Sequence, residues 1–254
     1  MKESLYYKYR EDYSDKIARL FEKIEELEKE IQGINTDISF KDICVEELAI
    51  RNFKWEITKY FQYNNGSLGF DIVLIKYILH DLLLYIYIVK EKELSEEGKN
   101  TCKFEIEIRF CFFLNHIYNF KEKFEIFFKI KDENILTSLG KELVSKLFNK
   151  SYKKIKKYCD ARGALVHGIY DLCYNILKNE IKISSSKFNL SDVNIVGQKI
   201  EQHVFVLEDV ELVRLVEEIQ ELRKKSIEIL LDIDNNIDKK KLIGKFRDGK
   251  GYTF

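Results

Sequence analysis

Apolar side chains recur along the first forty residues at alternating steps of three and four. Tyr6, Tyr9, Tyr13, Ile17, Leu20, Ile24, Leu27, Ile31, Ile34 and Ile38 form the stripe, and Glu and Lys fill most positions between them. The spacing predicts a long amphipathic helix over 1–38, with Gly33 and Asn35-Thr36-Asp37 stopping the helix before the pattern itself stops. A helix packed on its own domain and a coiled-coil seam between chains both produce such a stripe. Ser39 or Asp42 then caps a helix over 41–63, which Asn64-Asn65-Gly66-Ser67 terminates. A very apolar helix follows over 69–92, then a polar turn through Glu96-Glu97-Gly98-Lys99-Asn100. Further helices are expected over 103–131, 135–148 and 150–178.

Between 181 and 207 the period changes from helical to alternating. Ile181-Lys182-Ile183 and His203-Val204-Phe205-Val206-Leu207 read as short strands or a small hairpin, with Ser, Asn and Gly between them. A final helix over 209–236 carries Leu212, Leu215, Ile219, Leu222, Ile229 and Ile233 on one stripe, and a basic tail with Gly244, Gly249 and Gly251 follows. The fold class expected is mainly α: a bundle of long helices with a small β hairpin before the C-terminal helix. No internal repeat and no linker divides the chain, so one domain over 1–254 is expected. Its parts are the N-terminal helix (1–38), a helical core (39–178), a β insertion (179–207), the C-terminal helix (208–238) and the tail (239–254).

Composition narrows the picture. The chain has no proline, which suits uninterrupted helices. Lys+Arg and Asp+Glu both number 43, so a nucleic-acid footprint has to come from local clustering. Cys44, Cys102, Cys111, Cys159 and Cys173 contain no C-x-x-C pair, and most read as small core hydrophobes suited to a reducing compartment. The start Met1-Lys2-Glu3-Ser4-Leu5 lacks the apolar region of a signal peptide. Lys76, His80 and Asp81 interrupt the most membrane-like stretch, 72–89, and a mid-span Lys or Asp costs about 2.5 to 3.5 kcal/mol on insertion scales. A buried core helix, a cytoplasmic location and no membrane partner are the expectation. His80, His116, His167 and His203 show no zinc spacing. The doublet His80-Asp81 lacks the upstream histidine of an HD-type phosphohydrolase, and neither a Walker loop nor a G-x-S-x-G elbow is present.

One segment stands out for chemistry: Lys153-Lys154-Ile155-Lys156-Lys157-Tyr158-Cys159-Asp160-Ala161-Arg162-Gly163-Ala164-Leu165-Val166-His167-Gly168-Ile169-Tyr170. Its Arg, four residues and His resemble the signature of HEPN domains, helical proteins that carry this motif on a late helix of a bundle. Upstream, Asn119-Phe120-Lys121-Glu122-Lys123-Phe124, with Phe127-Phe128 after it, is similar to the partner helix of several bacterial HEPN groups. The resemblance covers most of the chain from about residue 40. It implies a metal-independent endoribonuclease with no cofactor, acting as a homodimer in a bacterial toxin, antiphage or stress-response system, with RNA as substrate and an antitoxin or regulatory protein as a further partner. Arg162 and His167 would be its catalytic residues, with Tyr170 and Asp160 in support. Two positions depart from the family pattern. Gly163 stands where a polar residue usually follows the Arg, and Tyr170 lies three residues after the His where a subset of the family has Tyr two after. On a helix, His167 and Tyr170 at i, i+3 would share a face.

The chemistry is sufficient in principle. RNA supplies its own nucleophile, the 2′-hydroxyl, and a histidine can remove that proton or protonate the leaving 5′-oxygen. A guanidinium holds two phosphate oxygens and stabilises the charge that builds on them. Five residues of ideal helix leave Arg162 and His167 about 140° apart. One chain therefore does not present them side by side, and the family's answer is a composite pocket across a twofold axis. Lys150, Lys153, Lys154, Lys156 and Lys157, with Tyr152 and Tyr158 among them, either contact RNA by phosphate pairing and stacking or form a solvated face. The structural reading of the motif is a hydrogen-bonded His167 with Arg162 paired to Asp160 or Asp171. A second match, Arg109 to His116, encloses apolar residues and reads as core helix. A non-catalytic HEPN-like module that binds RNA, a nucleotide or a protein is the other functional reading.

Overall fold

A computed structural model describes residues 4–34, 45–63, 66–128, 150–167, 169–186 and 200–231. The described chain is mainly helical: α1 (Leu5–Gln32), α2 (Val45–Ile57), a π-helical turn (Thr58–Gln62), α3 (Ser67–Glu91), α4 (Glu96–Phe128), α5 (Lys150–His167) and α6 (Asp209–Leu231). Three strands, β1 (Ile169–Asn175), β2 (Glu180–Ser186) and β3 (Ile200–Val206), form an antiparallel sheet in the order β1-β2-β3 before α6. The expected helix over 135–148 and the tail lie outside the described residues.

The chain divides into two compact units. One comprises Met1–Glu22, Leu74–Tyr118 and Lys154–Val216, the other Lys23–Val73, Asn119–Lys153 and Glu217–Phe254. The division falls within helices and not at a linker.

In the first unit, Tyr13, Ile17 and Phe21 of α1 are buried within the chain, as is every residue from Leu82 to Val89 of α3. Tyr13 packs against Tyr87, and Lys16 pairs with Glu91 at 2.9 Å. The α1 stripe continues inward through Ile24, Leu27 and Ile31 in the second unit. The stripe is thus spent on the chain's own core, the first of its two readings. Part of α3, Leu68–Glu91, is long and apolar enough to cross a membrane by length and composition, and 61% of its most apolar window is buried in the protein.

Two boundaries correct the sequence expectation. The polar stretch Glu96 to Asn100 is the first turn of α4, not a turn before it. Ser95 caps it by accepting the Gly98 N–H at 3.2 Å, and Glu96 and Glu97 sit where the helix dipole favours carboxylates. The motif helix ends at His167, not near 178, and Ile169–Asn175 is a strand. Over so short an apolar run the two periods are hard to separate, and the β-branched and aromatic residues Ile169, Tyr170 and Tyr174 favour a pleated surface.

The turn after β1 is fixed by Asn179, which has φ 52°, a left-handed conformation that asparagine tolerates. Its side-chain oxygen accepts from the Tyr174 hydroxyl at 2.7 Å and its amide donates to the Leu207 carbonyl at 2.5 Å. Tyr174, Ile181, Ile183, Phe205 and Leu207 face inward from the sheet.

The second unit is organised around Arg223, which is 0% exposed. Its guanidinium donates to the carbonyls of Phe61 and, at 2.6 Å, Gln62, groups at the end of the π-helical turn. Gln62 in turn donates to the carbonyls of Gln32 at 3.0 Å and Ile34 at 2.9 Å, closing the end of α1. Burial lowers the Arg223 pKa to about 10, against the opposing pull of Glu28. Gly66 ends this arrangement: a Cβ there would collide with the Lys59 carbonyl oxygen, so only glycine fits.

Candidate functional site

The described members of the Arg162–His167 motif belong to the first unit and to the last two turns of α5. Helix α5 is anchored by Ile155, Cys159, Ala161 and Ala164, all buried. Tyr158 adds a ring packed among Phe110, Phe113 and Phe205 at centroid distances of 6.5, 6.2 and 4.9 Å. Burial, with Glu211 next, pushes its phenol up to about 12. Its ring is therefore engaged in the protein and is not free to stack on a base. The small residues at 161 and 164 let the helix lie close to the unit's core, which fixes where Arg162 emerges.

Arg162 is half-buried and carries its guanidinium over the face of Tyr118 on α4, 4.1 Å from the ring centroid. Its Nε is buried and hydrogen-bonds to nothing. Among the described residues no carboxylate pairs with it, and Asp160 and Asp171, the two candidates from the sequence, are exposed. The cation is thus placed by an aromatic face, with no counter-charge among the described residues.

The remaining motif positions sort by helical angle. Lys156, Asp160, Gly163 and His167 fall at i, i+4, i+7 and i+11, a single line along α5. Lys156 and Asp160 are exposed, and a Cβ added at Gly163 would meet nothing within 4 Å. Val166, 53% exposed, adds an apolar patch beside that opening. Arg162 lies off this line, about 140° around the helix from the His167 position. The side chains of His167, Tyr170, Lys150 and Lys153 lie outside the described residues. Tyr170 belongs to β1 and not to α5, so the shared helical face expected for His167 and Tyr170 does not exist. The reason is the early end of the helix.

Of the lysines, Lys154, Lys156 and Lys157 are exposed. Lys157 holds its ammonium 4.8 Å from the centroid of the Phe205 ring. The second Arg–His match is differently built. Arg109 is bonded to Glu105, lies 3.7 Å from Asp81, and stacks on Tyr85 at 4.5 Å. Its charge is compensated inside the chain.

Tyr118 was not legible as a site residue. It is the one tyrosine of α4 and directly precedes the Asn119–Phe124 segment, but nothing in its sequence context ties it to Arg162, and only the crossing of α4 with α5 brings the two together. Among the described residues Cys102, Cys111 and Cys173 are free, and burial raises the Cys102 and Cys111 thiols to about 11, which makes them poor nucleophiles. No group of three or more His, Cys, Asp or Glu side chains among the described residues is placed to hold a metal ion. Comparison with family models, curated proteins and solved structures finds no match to this chain.

Proposed function

We propose that the chain is a metal-independent endoribonuclease of HEPN type, working as a homodimer on RNA in a cytoplasmic toxin, antiphage or stress-response system. The observation that carries this reading is Arg162: a half-buried guanidinium, held on an aromatic face, with no carboxylate among the described residues to neutralise it. Such a cation is suited to an incoming oxyanion, because the desolvation of the group is already met and no internal ion pair has to break.

In the proposed reaction the 2′-oxygen of RNA attacks the adjacent phosphorus and the bond to the 5′-oxygen breaks. The products are a 2′,3′-cyclic phosphate and a 5′-hydroxyl. His167 takes the proton from the 2′-hydroxyl or gives one to the departing 5′-oxygen. Arg162 holds the non-bridging oxygens and stabilises their growing charge. Because the two positions are about 140° apart on one helix, they would meet only from opposite chains of a twofold dimer. The open Gly163 and the exposed Val166 support close approach of a second α5 there. Asp160, on the His167 line, would orient these groups across the axis, and Tyr170 would act from β1. Lys154, Lys156 and Lys157, with Lys150 and Lys153 earlier on α5, would attract the RNA backbone. An antitoxin or other regulatory protein is the expected further partner.

Labelled RNA incubated with the purified protein in EDTA tests the reading. Cleavage leaving 2′,3′-cyclic phosphate ends, reduced by about 10²- to 10⁴-fold in His167→Ala, is the expected result. Cleavage that needs a divalent metal overturns it. One observation favours a second reading, a non-catalytic RNA-binding module: Arg162 is engaged with Tyr118 of its own chain and can hold a phosphate without His167. RNA binding that survives His167→Ala, with no cleavage by the unaltered protein, selects that reading.

A further inference from the structure

We propose that Tyr118 is a positioning residue for Arg162, holding the guanidinium by its face so that its terminal N–H groups stay free for the oxygens of a phosphodiester. The inference rests on the reading of Arg162 as the phosphate-holding group and names the residue that prepares it. A carboxylate partner would occupy two N–H donors of an arginine, whereas a ring face occupies none. The same unit contains both arrangements. Arg109 has a ring face, Tyr85 at 4.5 Å, but Glu105 and Asp81 also lie at its edge. Among the described residues Arg162 has the ring face, Tyr118 at 4.1 Å, and no carboxylate.

The Nε of Arg162 is buried without a hydrogen-bond partner. On this proposal the two Nη groups at the far end are the pair that meets the oxyanion, end-on and bidentate. Stacking on a tyrosine whose helix is fixed by the buried Leu114, Ile117 and Phe120 restricts the long Arg side chain before any ligand arrives. Less freedom is then lost on binding.

The test follows the Arg162 guanidinium resonances in full-length protein by NMR while inorganic phosphate is added. The unaltered protein and Tyr118→Phe, which keeps the ring face, should show the same phosphate-dependent shift of Arg162. Tyr118→Leu should bind phosphate about tenfold more weakly, with the resonances of distant residues in place. If Tyr118→Leu fails to fold, Tyr118→Met, which also lacks a ring, gives the same comparison. Phosphate affinity unchanged in a folded ring-less variant overturns the proposal, as does a phosphate shift that bypasses Arg162 in the unaltered protein. RNA cleavage separates the two layers. A ring-less variant that cleaves as fast as the unaltered protein sinks the role of Tyr118 and leaves the nuclease standing. A phosphate site that depends on Tyr118 in a protein that cleaves no RNA does the reverse.

Discussion

Arg109 on α4 and Arg162 on α5 stand in one unit, each begins an Arg–His match, and each lies over a tyrosine ring, yet their partners differ. Arg109 is bonded to Glu105, with Asp81 at 3.7 Å, so its charge is satisfied within the chain. Arg162 meets Tyr118 and no carboxylate among the described residues. Arg223 of the other unit marks the far end of this scale, fully buried with its donors on backbone carbonyls. The three side chains share one chemistry. Arg109 and Arg162 differ in their partners and not in their class of burial, and the sequence spacing that picked out both Arg–His pairs carries none of that information.

Removing each arginine sharpens the contrast through stability. Arg223→Met removes the buried donors to the Phe61 and Gln62 carbonyls, and should cost about 3 kcal/mol, read as a lowered urea midpoint. Arg109→Ala leaves Glu105 and Asp81 near each other without their cation and should cost about 1 to 2 kcal/mol by the same measurement. Arg162→Ala loses the stacking on Tyr118 and should cost less than about 1 kcal/mol. A loss at Arg162 as large as that at Arg223 would return it to the structural class.

How much of this was readable from the residues varies with the kind of information needed. The long helices were legible because their apolar positions repeat over many turns, as from Tyr13 to Ile31 in α1. Ser95 could have been recognised as a cap with Glu96 and Glu97 after it, but three acidic and amide residues beside Gly98 resemble a turn equally well. Strand β1 was hidden because Ile169 to Asn175 is short enough to fit either period, although Gly168 before it marks a place where a helix can stop. The motif was visible as a spacing, Arg162 to His167. Its partner Tyr118 was not, because a contact between residues 44 apart in sequence, on two different helices, leaves no local mark.

Alkaline titration gives the smallest effect. Burial raises Tyr85 and Tyr158 to about 12 from 10.0, and Cys102 and Cys111 to about 11 from 9.0. Each keeps its proton in the folded state at a pH where the unfolded chain releases it. Their stabilising contribution is complete below pH 9 and falls as the pH rises through 9 to 12. Arg223 works in the opposite direction: its folded value, about 10, lies below the ordinary 12.5, so its unfavourable charge is relieved as pH rises past 10. Unfolding midpoints should therefore drop above pH 9, and drop more steeply in Arg223→Met. A flat profile from pH 9 to 11 in both proteins would contradict the burial of these groups.

The most direct measurement compares two conservative substitutions in one assay, cleavage of labelled RNA in EDTA by Arg162→Lys and Arg109→Lys. A lysine keeps the charge but loses the planar, bidentate donor pair and its stack on a ring. The prediction is a fall of about 10²-fold or more in the cleavage rate for Arg162→Lys, with Arg109→Lys close to the unaltered protein. Equal losses in the two variants, or full activity in Arg162→Lys, would contradict the assignment of Arg162 as the guanidinium that meets the phosphate.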